Sequence, residues 1–232
     1  MMQLIQKYQV TSNMCGPDRI VKPSAILDLF QSIAGKHANQ LGIGMKQISK
    51  DNYAWVLMRV RYEMLEPIYM ESEVIVKTWP QPAGRIDFDR EYTICDLNGK
   101  ILVKGSSKWV VINLETRRIE RTNKFLYPGE CITEKNFSDI PKIDNIQIEF
   151  NEYRQYQVRP SDIDIVGHLN NTKYADLCYD IMPTNYRSFI INYNHEIALN
   201  EQVKIEKGCK GDQVYIKVDG KFNALVEEYY EI

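Results

Sequence analysis

Between Arg159 and Tyr174 the chain reads Arg-Pro-Ser-Asp-Ile-Asp-Ile-Val-Gly-His-Leu-Asn-Asn-Thr-Lys-Tyr, which packs two carboxylates, one imidazole and two carboxamides into one short stretch. These are the residue types of general acid–base chemistry. A neutral imidazole takes a proton from water near neutral pH, and a neighbouring carboxylate orients it. If 162–168 is extended, Asp162, Asp164, Val166 and His168 share one side at period two, with Gly167 bending the chain. Asn170 or Asn171 then suits the N-cap of a following helix, whose free backbone amides and dipole favour a developing oxyanion. For any one of these residues a polar loop with an Asx turn and a good cap is the better account; the cluster as a whole is harder to dismiss.

The other candidates are fewer. His37 falls inside a helical pattern and reads as an ordinary helix residue, whereas His195 and Glu196 read as neighbours in a strand that face opposite sides. On that alternation Glu196 is preferred to His195 as a site residue. A Cys–His nucleophilic mechanism would need Cys178, but Cys178 lies on the apolar face of the second helix, where a small core residue belongs. No G-x-S-x-G elbow, phosphate loop, dinucleotide fingerprint or HExxH motif occurs, which leaves acid–base chemistry without cofactor or metal.

Positioning these groups requires a scaffold, and the hydrophobic periodicity supplies one. Ile26, Leu29, Phe30, Ile33, Ala34 and Leu41 recur at three-and-four spacing over Ser24 to Leu41, predicting an amphipathic helix that Gly42 and Gly44 end. Runs rich in Val, Ile, Thr, Tyr and Trp follow at Trp55 to Tyr62, Glu73 to Trp79, Phe88 to Cys95 and Ile101 to Ile112, with a hairpin predicted at Asp96 to Gly99. The stretch from 123 to 151, which carries Pro128, Gly129 and Pro141, has no sustained period and reads as a connector. The order then recurs: a short strand near Tyr156 to Val158, a helix from Asn171 to Ile181, and strands near Phe189 to Ile197, Val203 to Cys209, Val214 to Val218 and Ala224 to Tyr230. Two copies of a helix packed on an antiparallel sheet are expected, an α+β arrangement divided into 1–124, a connector 125–150, and 151–232.

Composition narrows the class of partner. With 29 basic and 31 acidic residues the formal charge is −2, so the basic excess that broad phosphate binding needs is absent and nucleic acid is not expected. Five scattered cysteines, none in a CxxC pair, argue against a disulfide framework or a zinc site and fit a reducing cytoplasm. Met1 to Val10 lack the apolar core of a secretory signal, and no apolar run reaches the ~20 residues of a membrane span.

Several motifs together resemble the acyl-acyl carrier protein thioesterases, the plant plastid chain-terminating enzymes and their bacterial relatives. In the first half they are Gly16-Pro17-Asp18-Arg19, Leu29-Phe30-Gln31 with Ala34 and His37, Trp55 to Arg59, Thr78-Trp79, Arg90-Glu91-Tyr92, Gly105 to Val110, Asn113 and Thr116-Arg117-Arg118. In the second half they are Arg159 to Tyr174 and Tyr193-Asn194-His195-Glu196. The resemblance implies two tandem hotdog folds, catalysis in the second half by Asp164, His168 and Glu196, an acyl pocket shaped by the first half, and hydrolysis of fatty acyl-carrier thioesters. Because the first half has Asp18 but no histidine before its helix, one site per chain is expected. The family pattern reads Asp-x-Asn-x-His, and this chain carries Val166 at the asparagine; Asn170, Asn171 or a backbone amide would have to supply the missing donor. Acyl-coenzyme A hydrolysis, which would share the site but dock a different carrier, is the nearest enzyme alternative, and Val166 is the argument for another, acyl binding without cleavage. Carrier proteins of this kind are acidic, so Arg117, Arg118, Arg121 and Lys124 are candidate docking residues, with a solvated charge run as the plainer account. Two fused halves could satisfy the usual hotdog pairing internally, so a monomer or a homodimer is expected.

Overall fold

A computed structural model describes residues 2–144, 146–165, 167–183 and 185–228; Val166 and Tyr230 lie outside them. Ten strands form a single antiparallel sheet in the order β1-β3-β4-β5-β2-β7-β10-β9-β8-β6. The first five are β1 (Leu4–Gln9), β2 (Tyr53–Met64), β3 (Glu73–Pro80), β4 (Phe88–Cys95) and β5 (Ile101–Asn113). The second five are β6 (Asn151–Gln157), β7 (Tyr186–Asn192), β8 (Gln202–Lys210), β9 (Gln213–Val218) and β10 (Lys221–Glu228). The order of one half is the reverse of the other about the β2–β7 pair, so the halves are related by an approximate two-fold. At that junction Tyr62 pairs with Phe189, and the Tyr62 and Tyr186 hydroxyls share a 2.7 Å hydrogen bond.

Each half lays one main helix against the same face of the sheet: α1 (Pro23–Gln40) and α3 (Asn171–Tyr179), with a short α2 (Met45–Ile48) after α1. Pro23 at the first helical position opens α1, and beyond the Leu41 cap Gly42 takes φ +78°, as a helix stop requires. The α1 residues chosen by periodicity are buried: Ile26, Leu29, Phe30, Ile33 and Ala34 are each at most 6% exposed. The two helices pack on one another, and one hydrophobic core runs through both halves.

The residues after β5 do more than connect. Trp79 and Gln81 donate side-chain N–H groups to Glu134 O at 2.9 and 2.7 Å, Asn136 Nδ2 donates to Tyr92 O and Gly105 O at 2.8 Å each, and Arg59 donates to Ile140 O at 2.8 Å. With Ile140 and Ile143 set against Ile190, Tyr215 and Leu225, the segment forms a strap over the sheet face that the helices leave open. The β1 strand was not foreseen. Its inward residues are Leu4, Gln6 and Tyr8 while Ile5 points out at 53% exposed, which breaks the usual alternation.

Candidate active site

The segment 160–169 is not extended, contrary to the premise that put Asp162, Asp164, Val166 and His168 on one side. Pro160–Asp162 makes a 3-10 turn, and the chain then reverses on itself: Ile163 bridges Leu169, Asp164 N–H donates to His168 O at 2.8 Å, and Gly167 N–H donates to Asp164 O at 3.2 Å. Gly167 makes the reversal possible by adopting φ +92°. Asp164 and His168 therefore face one another across a tight turn, with His168 N–H donating to Asp164 Oδ1 at 3.2 Å. Val166, inside this turn, is outside the described residues.

Asp162 does a different job. It is buried, and its Oδ2 accepts from Tyr156 Oη at 2.7 Å and from Arg159 N–H at 2.9 Å. Burial alone would raise its pKa, but these hydrogen bonds outweigh burial and hold the carboxyl below the usual range. A depressed folded pKa stabilises the fold above the ordinary carboxylate range and ceases to do so as pH falls through the folded value. Asp162→Ala is accordingly expected to cost about 1–3 kcal/mol at pH 7 by orphaning two donors, and thermal melts of the pair at falling pH should show the gap closing in acid. A gap independent of pH would contradict this account.

The second half of the site is pinned by tyrosines. β7 ends at Asn192, so His195 and Glu196 lie in irregular chain after it and not in a strand as the alternation assumed. Tyr193 Oη donates to Asn171 O at 3.1 Å, Tyr174 Oη donates to His195 O at 3.0 Å, and Leu169 N–H donates to Ile197 O at 2.8 Å. These bonds tie 193–198 to the start of α3, and they set Glu196 Oε2 3.3 Å from His168 Nε2. His195 is half-buried, both its ring nitrogens lack a partner among the described residues, and burial pushes its pKa down.

Asn170 is the N-cap of α3: its Oδ1 accepts from Thr172 N–H at 3.0 Å and from Thr172 Oγ1 at 3.1 Å. Asn171, the first helical residue, borders a cavity of about 240 Å³ together with Asp164 and Ile165. Most of the rest of its wall belongs to the first half, with Gln31, Ala34, Gly35 and Ala38 from one face of α1 and the rings of Trp55, Phe88 and Trp109; Tyr127 joins them from the strap. His168 and Glu196 stand beside this cavity rather than in its lining. Arg90 also borders it, buried, with Nη1 3.0 Å from His37 Nδ1; His37, which reads as an ordinary helix residue, is fully buried and faces this guanidinium. Cys178 is fully buried and burial pushes its thiol pKa up, the opposite of what a nucleophile needs.

Of the four basic residues considered for docking, two are engaged. Arg117 Nη2 lies 2.5 Å from Glu196 Oε2 and Lys124 Nζ lies 2.6 Å from Glu120 Oε2, whereas Arg118 and Arg121 are exposed and make no ion pair among the described residues.

The reversing turn has a twin before α1. Cys15 bridges Val21, Gly16 N–H donates to Ile20 O at 2.9 Å, Arg19 N–H donates to Gly16 O at 3.0 Å, and Arg19 has φ +65° where its twin has Gly167. Matched by these bonds, Gly16 and Ile20 stand where Asp164 and His168 stand, and Asp18 falls at the place of Val166. A second cavity, of about 320 Å³, opens beside this turn and is bordered by Asp18, Ile20, Tyr179 and Tyr186, without an imidazole.

Comparison with known proteins agrees with this architecture. Residues 2–127 match the acyl-ACP thioesterase N-terminal domain and residues 146–225 the acyl-ACP thioesterase C-terminal domain. The chain is 25% identical over 197 residues to oleoyl-acyl carrier protein thioesterase 2, chloroplastic, of Arabidopsis thaliana, covering 77% of this chain and 53% of that protein. It is 24% identical over 243 residues to oleoyl-acyl carrier protein thioesterase, chloroplastic, of Coriandrum sativum, covering 96% of this chain and 63% of that one. The chain thus spans little more than half the length of these relatives. The crystal structure of an acyl-ACP thioesterase from Bacteroides thetaiotaomicron superposes with a TM-score of 0.84 at 24% identity, covering 97% of each chain, and it shares the fold. With both of its halves matched and the whole sheet superposed, this tandem hotdog chain belongs to the acyl-ACP thioesterase family.

Proposed function

We propose that the protein hydrolyses fatty acyl-acyl carrier protein to free fatty acid and holo-carrier, ending fatty acid synthesis, with one site per chain in the second half. The observation that carries this reading is the His168–Glu196 contact beside a mostly apolar cavity bordered by Asp164 and Asn171. The acyl chain lies along the small residues of α1 and the aromatic wall. Asp164 holds a water at the cavity edge. With Glu196 Oε2 3.3 Å from His168 Nε2, a proton carried on Nε2 faces the carboxylate and leaves the Nδ1 lone pair to take the proton as the water oxygen adds to the thioester carbonyl. Thr172 N–H is already taken by the Asn170 side chain and Lys173 N–H by Asn170 O. The Asn171 N–H is therefore the first-turn amide that meets the oxyanion, and it supplies the donor that Val166 cannot. Collapse of the tetrahedral intermediate breaks the C–S bond, and the thiolate recovers the proton from His168.

In this reading 1–124 provides the acyl pocket, 125–150 the strap and 151–232 the catalytic half, working in the cytoplasm as a monomer or homodimer. Among the described residues no helix is long and apolar enough to cross a membrane. Arg118 and Arg121, exposed and without an ion pair among the described residues, are the docking residues for an acidic carrier.

The test is thiol release from matched acyl-carrier and acyl-coenzyme A substrates by the purified protein. A carrier preference supports the proposal, equal rates remove the carrier-specific part, and binding of the acyl chain with no turnover of either substrate identifies a non-catalytic acyl-binding protein.

A further inference from the structure

Arg117 sits in the turn that closes β5, and that turn is built to present it. Asn113 Oδ1 accepts from Glu115 N–H at 3.0 Å and Thr116 N–H at 2.9 Å, while Asn113 O accepts from Arg117 N–H at 2.9 Å and Asn113 N–H donates to Arg118 O at 3.0 Å. Asn52 braces the outside of the turn, accepting from Leu114 N–H and donating to Glu115 Oε1, both at 2.8 Å. Arg117 itself has φ +56°, a left-handed conformation that non-glycine residues seldom adopt and that persists only where the surroundings impose it. From this fixed root the guanidinium crosses from the first half to the second and meets Glu196 Oε2, the same oxygen that lies 3.3 Å from His168 Nε2.

We propose that Arg117 is a positioning residue of the second half's site: it holds the Glu196 carboxylate in the orientation that engages His168. This rests on the hydrolytic reading above and goes beyond it, because it takes Arg117 out of the docking group and makes the first half a contributor to the acid–base chemistry as well as to the pocket. Glu196 lies in irregular chain with its side chain 45% exposed, so without a partner the carboxylate would sample several rotamers. The pair adds little to stability, since exposed ion pairs rarely do, and its consequence falls on rate. A planar guanidinium restricts the carboxylate more than an ammonium does, yet lysine keeps the charge, so the two side chains grade the effect.

The experiment compares wild type, Arg117→Gln and Arg117→Lys on an acyl-N-acetylcysteamine thioester, which has no carrier to dock, and on the acyl-carrier substrate. Arg117→Gln is expected to lower kcat on the small thioester about tenfold at nearly unchanged KM, less than the ~100-fold that a 1 Å misplacement of a reacting group can cost, and Arg117→Lys should recover most of it. A change confined to KM for the carrier substrate would return Arg117 to docking and overturn the proposal, as would equal loss in the Lys and Gln variants. A second readout does not need turnover: the pH midpoint of the His168 ring resonances should differ between wild type and Arg117→Gln, and identical titrations would also overturn it. If the wild type hydrolyses neither thioester, the hydrolytic reading fails on its own account, and the titration still decides whether Arg117 acts on the Glu196–His168 pair.

Discussion

His168→Ala is expected to lower kcat on an acyl-carrier thioester by about 100- to 10,000-fold, the range that a positioned general base contributes. The side chain is 30% exposed and its ring contact is to Glu196, so the variant should keep the wild-type melting temperature and circular dichroism. KM should change little, because on the proposed reading α1 and the aromatic wall, rather than the imidazole, hold the acyl chain. Initial rates with a free-thiol reagent check this directly. Retained activity would move the role of base to Asp164, the carboxylate that borders the cavity, and Asp164→Asn in the same assay would then have to show the loss.

The second large effect is on stability. Phe30, 2% exposed, stacks on Tyr92 with ring centroids 4.3 Å apart and meets Tyr62 edge-on. It covers Gly105 so closely that a Cβ there would lie 2.2 Å from the ring. Phe30→Ala removes the ring from the centre of the first half's core and should cost about 3–5 kcal/mol, seen as a lower denaturant midpoint and a melting temperature down by about 10 °C. Gly105→Ala should be destabilising alone, by about 1–3 kcal/mol from overpacking, and nearly silent in the Phe30→Ala background. Additive losses in the double variant would show that ring and glycine do not share that space.

Much of the scaffold was legible because burial imposes a period. The α1 pattern over Ser24 to Leu41 corresponds to Pro23–Gln40, because one helical face is buried, and Phe88 to Cys95 is β4 to the residue, because a strand covered on both faces is dense in strand-forming residues. The strand β1 was not, because an edge strand buries too little for its alternation to be enforced, and Ile5 faces out. The strap was read only as a connector because its hold on the sheet runs through backbone carbonyls and isolated side-chain donors, which carry no sequence period. At the site, the cluster around His168 was visible in the residue types, but its shape was not: a period-two argument assumes extended chain, and one left-handed glycine at 167 cancels it. Resemblance brought Asp164, His168 and Glu196 to attention as a set. Arg117 was read as a docking residue because its contact with Glu196, 79 residues away, is a product of the β2–β7 junction and of nothing local.

The twin turns bear on kinetics. Placing an acid and an imidazole at positions 16 and 20 looks like a change of side chains on a ready backbone, but a Cβ at Gly16 would sit 2.4 Å from the Tyr179 hydroxyl, so that side chain would have to move as well. On the proposed reading the duplication is a division of labour, with the second copy as reaction centre and the first as its pocket and brace. An isolated chain with a single site would then give a simple hyperbolic saturation curve, with any sigmoidal response arising from association between chains.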